Sequence, residues 1–457
     1  MNKINKILPL AMAVMASVAS ADAQNTYSGY FIDNYAYRHE MNPAFGNDDN
    51  MVSMPGLGNV NIGMQGNLHL RDVIYTIDGK TVLFTNPGIT ASQVMKGIGD
   101  KNKVGAGVRL DIVNVGFKAL GGYNTVGINV RSHVNASVPG ELFRLAKEGV
   151  ENSTYDISGL RLSADAYAEI ALGHSRNINS QWRVGATLKV LLGGGNIDAY
   201  MNRATLSLGQ DNWKAITDAT VYSSVKGLTY KHDINNDTGH EYVSGIDMDS
   251  YSFPSGFGLG LDLGAVYTPC ADWQFSAALL DFGFISWSDT RVASTNGPKS
   301  FETDAYTFNV DDNASNSFSN EWDKFRDNLS ALYELDDNGI AGTRTRMLAA
   351  TINLGARYNF PLYRNLTFGF LSSTRINGPF TTTSARLSAN VTPMKWIDAD
   401  ANFAVGTYGC SFGWLVNFKA PVFNFFVGMD HTMGKLCKQG IPLSSNAEVN
   451  AGINFMF

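Results

Sequence analysis

Along LRLSADAYAEIAL, Arg161, Asp165 and Glu169 recur at every fourth residue. Strand side chains alternate between faces, so this spacing places all three on one face. A guanidinium beside two carboxylates can hold a charged solute, gate a pore or simply pair internally. Arg131 and His133, in TVGINVRSHVNASV, take the polar face of a neighbouring strand. Arg131, His133, Arg161, Asp165 and Glu169 are therefore the candidate ligand-binding or gating set of a lumen. Structural charge pairing is the competing role, because buried charges need partners whatever the function. His69, like His133, reads as a mid-strand residue on the polar face among Asn and Gln.

No catalytic template is complete. G-x-S-x-G and H-E-x-x-H are absent, and no Ser/His/Asp set falls on one rim, so the chain does not read as an enzyme. GGGN, Gly193 to Asn196, lacks the Lys-Ser/Thr of a phosphate loop and reads as a point where a strand leaves the sheet. DINNDTGHE, Asp233 to Glu241, resembles a calcium loop. Thr238 stands where the tight turn wants Gly, however, and no Glu closes it, so a solvated loop is expected. The three cysteines, Cys270, Cys410 and Cys437, are too few for a disulfide framework and fit no zinc spacing. Cys410–Cys437 is the one bridge to test. No cofactor is called for. A net charge of -6 argues against a nucleic-acid partner.

The elements that would position these residues are long two-faced strands. In NVNIGMQGNLHL, Val60, Ile62, Met64, Leu68 and Leu70 oppose Asn59, Asn61, Gln65, Asn67 and His69. The last segment, NAEVNAGINFMF, alternates in the same way and ends on Phe455 and Phe457. Many segments reach ten residues, the length of about 9–11 that a tilted strand needs to cross a bilayer. Fourteen spans can be drawn: 59–75, 104–118, 123–138, 158–174, 182–192, 257–267, 272–286, 346–359, 366–377, 381–392, 398–408, 411–419, 422–431 and 446–457. Their connections sort into short ones on one rim and, for the most part, long ones on the other, as in outer-membrane barrels. The expected fold is all-β: a closed antiparallel transmembrane barrel of fourteen strands with both termini periplasmic. Residues 202–226 could add a further hairpin. Trp182 and Trp273 fall where an aromatic girdle belongs, whereas Trp396 has the parity of the polar face. Two amphipathic helices are expected in the outer loops. One carries Leu142, Leu145 and Ala146; the other carries Trp322, Phe325, Leu329 and Leu332.

Lys3, Lys6, the apolar run from Ile7 to Ala19 and the Ala21-Asp22-Ala23 site read as a signal peptide over 1–23. The expected organisation is then a plug or hatch over 24–58 and a barrel over 59–457, exported to the outer membrane of a Gram-negative bacterium. The partners are outer-membrane lipid and, through the terminal Phe457 and Phe455, the barrel-assembly machinery.

Asn42-Pro43-Ala44, before the first strand, resembles the N-terminal plug of the long-chain fatty-acid transporter superfamily, whose members have fourteen strands. ALLDFGFISW, Ala278 to Trp287, is similar to a strand of that superfamily's relatives in type IX secretion. The wider run RHEMNPAF … SMPGLGNVNIG … ELFRLAKEG … YDISGL … AYAEIALGHSR resembles a family of outer-membrane barrels of unknown function. These resemblances imply passive, porin-like transport of a small solute or amphipathic molecule through a plugged barrel. The alternative they imply is a non-conducting scaffold with a secretion-system or surface partner. An inner face rich in Asn, Ser, Asp, Glu and Arg weakens a greasy cargo.

Overall fold

The computed structural model describes residues 27–47, 49–148, 154–208, 212–236, 239–304, 332, 334–431 and 446–457. The expected signal peptide, Cys437 and the expected helix through Trp322, Phe325 and Leu329 lie outside the described residues. Fourteen strands close into an antiparallel barrel. In chain order they are β1 (Met51–Ser53 and Val60–Gly66, two halves of one strand), β2 (Lys101–Ala119), β3 (Gly122–Pro139), β4 (Arg161–Asn177) and β5 (Trp182–Leu208). Then come β6 (Gly256–Tyr267), β7 (Trp273–Trp287), β8 (Ala350–Asn359, prolonged by Arg344–Met347), β9 (Leu366–Ile376) and β10 (Thr382–Met394). The ring ends with β11 (Ile397–Gly406), β12 (Gly409–Lys419), β13 (Phe423–Asp430) and β14 (Ala447–Met456). β14 pairs with both halves of β1, and β1 with β2, so no wall edge is left unpaired. Closure is what a strand wall needs in hydrocarbon, where an unpaired backbone group finds no water.

Alternation explains the two faces. Phe257, Leu259, Leu263, Phe368, Phe370, Leu387 and Phe403 are exposed on the outside. A contiguous apolar surface of that kind requires a nonaqueous neighbour. At the short-turn rim Trp182 stacks on Tyr267 with centroids 4.6 Å apart, and Trp273 lies 5.0 Å from Tyr358. Trp396 joins this girdle, 50 % exposed and stacked against Phe418. Its expected inward parity fails because it sits in the turn before β11, where alternation has not begun.

Two other expectations are corrected. The wall begins at Met51, inside the stretch assigned to the plug, because Met51–Ser53 already pairs with β14 and β2. The first strand ends at Gly66 rather than at 75. His69 instead precedes a helix, Leu70–Val73, and its N–H donates to the Asp72 carboxylate at 3.0 Å. Leu68 turns aside to join an outer cluster with Phe84, Val94 and Phe143. Phe143 lies on the helix Gly140–Glu148, and it is more deeply buried than the Leu142 and Ala146 expected to form its apolar face.

The strand over 212–224 does return along β5, but above the barrel. It pairs with residues 196–208 of β5, whereas β6 pairs with 182–193. The change of partner falls in the Gly193–Asn196 stretch. A Cβ at Gly193 would lie 2.5 Å from the Trp287 ring, so glycine is needed for that close approach. The ring count stays at fourteen.

Candidate functional site

Inside the ring lies the segment 27–47. Tyr30, Tyr35, Tyr37 and Met41 are at most 1 % exposed. The Tyr37 hydroxyl donates to Asn454 of β14 at 2.8 Å, and the Tyr30 hydroxyl meets Ser276 of β7 at 3.0 Å. Asn353 of β8 donates to the Met41 carbonyl at 3.0 Å, and Asn417 of β12 donates to the Asn34 carbonyl at 3.4 Å. On β2, Arg109 donates to the Glu40 carboxylate; on β13, Asp430 accepts the Tyr27 N–H at 2.9 Å. A segment bonded to strands on every side of a closed ring lies within it.

Asn42-Pro43-Ala44 packs directly against the wall. The Asn42 side chain accepts the Ala44 N–H at 2.9 Å and donates to the Ala277 carbonyl at 3.3 Å. It fits because the wall is bare at two points. A Cβ at Gly264 would come within 2.1 Å of Asn42 Oδ1, and one at Gly185 within 2.2 Å of the Pro43 carbonyl. Depth along the segment is uneven. Gly46 lies near Arg183 and Tyr123 at the short-turn rim. Tyr27, by contrast, reaches Ser373 and Asp430 near the long-loop ends of β9 and β13. Tyr27, the first described residue, therefore lies in the upper lumen; the start of the mature chain, expected at the short-turn rim, lies outside the described residues.

A charge network crosses the lumen beside the segment. Arg131 bridges Glu169 at 3.1 Å and Asp281 at 2.9 Å. Lys189 bridges Asp262 at 2.7 Å and Asp281 at 2.5 Å, with Glu169 at 3.8 Å. His133 pairs with Asp165 at 3.1 Å, one step higher. Of the five residues singled out in the sequence, Arg131, Glu169, His133 and Asp165 thus fall together. Arg161 stands apart, its guanidinium 5.1 Å from the Tyr200 ring. Lys189, Asp262, Asp281 and Arg109 escaped the sequence reading because each stands on a different strand, and only strand register brings them level. One signal was available. Alternation in ALLDFGF breaks at Leu280-Asp281, and Asp281 adopts φ 55, a left-handed backbone that turns its carboxylate into the lumen.

Above the network the lumen opens. A void of about 40 Å³ is lined by Arg131, His133, Asp165, Arg346, Arg375 and Asn377, among others. It adjoins a larger cavity of about 560 Å³ that shares Arg346 and Asn377 and adds Arg161, Tyr200, Phe282 and Phe380. Below Arg131 only about 20 Å³ remains, between the network and Glu40. The turn Gly378–Phe380 folds over the lumen, and the Lys103 ammonium donates to the Pro379 carbonyl. Cys270 and Cys410 are exposed free thiols. His240, in the calcium-like stretch, is held between Glu334 and Asp336 at 2.8 Å each. No group able to hold a metal occurs among the described residues.

Solved structures with similar barrels include the toluene transporter TodX of Pseudomonas putida, with TM-score 0.41, 8 % identity and 96 % of each chain covered. The toluene transporter TbuX of Ralstonia pickettii gives TM-score 0.41 at 9 % identity, covering 93 % of this chain and 94 % of its own. A FadL homologue of Pseudomonas aeruginosa gives 0.40 at 10 %, covering 96 % and 98 %. Scores and identities this low transfer none of those proteins' ligands to this chain. No curated protein matches it. Residues 43–430, most of the barrel together with Pro43 and Ala44, match a family of unknown function (DUF5723), and to that family the chain belongs.

Proposed function

We propose that this is an outer-membrane barrel of a Gram-negative bacterium that admits a small solute passively, with the segment around 27–47 as a movable plug. The apolar outer belt and aromatic girdle support the membrane location, with the short-turn rim periplasmic. The observation that carries the reading is the distribution of space. The lower lumen is filled by the plug, leaving about 20 Å³ beside Glu40, while adjoining cavities of about 40 and 560 Å³ lie above Arg131. A solute can enter from outside and cannot leave below until the plug shifts. The density of buried ion pairs favours a second reading, a filled and non-conducting scaffold.

A tether decides between them. The Ser28 hydroxyl lies 2.8 Å from where a Gly413 Cβ would stand, within disulfide reach; that Cβ would also press Asp430 Oδ1 at 2.6 Å and Asn402 Oδ1 at 2.7 Å, so the reduced Ser28→Cys, Gly413→Cys protein is the reference for its oxidised form. In a background lacking the native cysteines, solute-driven swelling of proteoliposomes should be blocked when the pair is oxidised and return on reduction. Equal swelling in both states would show that the segment is not the gate. No swelling in either state would leave the scaffold.

The C-terminal strand yields a separate expectation about assembly. Phe457 is 67 % exposed, and its backbone exchanges two 3.0 Å hydrogen bonds with Asn50. The side chain itself contributes a few kcal/mol at most, about the transfer energy of one phenyl. Phe457→Ser is therefore expected to lower the amount of barrel reaching the outer membrane, while inserted molecules keep their resistance to heating in detergent. Normal surface levels with a large loss of heat resistance would assign Phe457 to packing rather than to recognition by the assembly machinery.

A further inference from the structure

We infer that the upper cavities are a receptor for a small hydroxylated anion, such as a sugar acid or sugar phosphate. This rests on the solute-entry reading above and names the class of solute. The first observation is charge. Arg131, Arg161, Arg346 and Arg375 line the two adjoining cavities, against Asp165 and Asp281. This is a local excess of cations in a chain whose net charge is -6. The second is pairing. Arg131 is committed to Glu169 and Asp281, and Arg346 to Asp198 at 2.9 Å. Asp198 also takes Arg344, so one carboxylate serves two guanidiniums.

Neither Arg375 nor Arg161 has a carboxylate within 4 Å among the described residues, although Asp165 and Asp281 lie close enough to feel the Arg375 charge. Both face inward, Arg375 on the face of β9 that carries Ser373 and Leu371, and Arg161 on the face of β4 that carries Asp165. A guanidinium presents a planar fork of donors that fits carboxylate and phosphate oxygens bidentately. The third observation is the rest of the lining. Ser163 and Asn377, which line both cavities, and Tyr200 in the larger one offer hydroxyl and amide groups to a polyhydroxy skeleton, while Leu162, Leu279, Phe282 and Phe380 add apolar surface to the larger cavity. A volume of about 560 Å³ is within the range of small-molecule sites.

Arg131 also borders the small void next to Glu40 of the plug. An anion drawn to Arg375 approaches the far side of the same guanidinium. It would compete with Asp281 and Glu169 for Arg131 and so loosen the layer that separates it from the plug.

The test compares glucose, glucosamine, gluconate and glucose 6-phosphate on the purified full-length barrel, using saturation-transfer NMR for binding and liposome swelling for passage. Gluconate and glucose 6-phosphate should bind about ten-fold better than glucose, with glucosamine weakest. Arg375→Gln with Arg161→Gln should erase that preference, and Arg375→Lys with Arg161→Lys should retain part of it. Heat-modifiable mobility confirms that each variant is folded. Equal binding of all four sugars, or a preference unchanged in the double Gln variant, would overturn the receptor. Anion-selective binding without swelling would keep the receptor and remove passage instead.

Discussion

Replacing Lys189 by methionine is expected to cause a large drop in the temperature at which the folded barrel unfolds in detergent. Lys189 is 5 % exposed and lies between Asp262 and Asp281, with Glu169 behind them. Without its ammonium, three buried carboxylates face the single guanidinium of Arg131. Removing one partner of a buried pair costs about 3–5 kcal/mol, because the charge left behind is neither solvated nor matched. Lys189→Arg keeps the charge and should lose much less. Lys189→Met combined with Asp262→Asn should recover part of the loss, since deleting both partners avoids the orphaned charge. The readout is the temperature at which the compact gel band converts to the unfolded one. An unchanged conversion temperature in Lys189→Met would mean that the network is solvated and structurally idle.

Gly264→Val is expected to push the plug off the wall. Its Cβ would meet Asn42 Oδ1 at 2.1 Å and the Ala44 nitrogen at 2.8 Å. Gly185→Val would meet the Pro43 carbonyl at 2.2 Å, and backbone cannot swing aside as a flexible side-chain end can. Overpacking of this kind costs about 1–3 kcal/mol, enough to raise the displaced population by about ten-fold. Solute-driven swelling should accelerate, and Arg38, 5 % exposed in the docked segment, should become a tryptic cleavage site. Gly245→Ala, in the outer hairpin with its nearest neighbour 3.9 Å away, is the matched control and should change neither. Unaltered swelling and cleavage in both glycine variants would show that docking at Asn42-Pro43-Ala44 does not hold the segment.

Strand positions were readable because a wall between lipid and a polar lumen forces period-2 alternation on every crossing. Each of the fourteen spans drawn from the sequence falls on one strand of the ring. Met51–Ser53 was missed because three residues carry too little alternation, and Pro55 and Gly56 break the pattern immediately after them. His69 was misplaced because NLHL continues the pattern after β1 has ended. The site was half legible. Arg131 and Glu169 announced themselves on adjacent strands, and His133 and Asp165 likewise. Asp262, Asp281 and Lys189 are ordinary inward residues until the register and curvature of the successive strands β3 to β7 aim them at one point. Arg375 has no distinguishing context in the sequence at all. Its interest comes from having no carboxylate within 4 Å among the described residues, which only three-dimensional surroundings can reveal.

The seam where the ring closes is its most interrupted join. β2 and β3 pair from Lys101↔Pro139 down to Ala119↔Gly122 with a single register shift. β14 meets β1 over Met51–Ser53 and again from Val60 to Met64; residues 54–59 bulge between, tied to Ile453 by the Met54 N–H at 3.0 Å and by the Leu57 carbonyl, which accepts the Ile453 N–H at 2.9 Å. The inner side of that bulge is where Tyr37 holds Asn454 and Tyr35 holds Asn450, and Asn450 in turn donates to Asn59 at 2.8 Å. The inner segment is thus a keystone: it braces the joint of the arch where the wall's own ladder bulges furthest. Cutting it away should slacken the wall along with clearing the bore. A plugless barrel would then report on a loosened ring, and a shifted plug that keeps Tyr35 and Tyr37 in place would report on the open one.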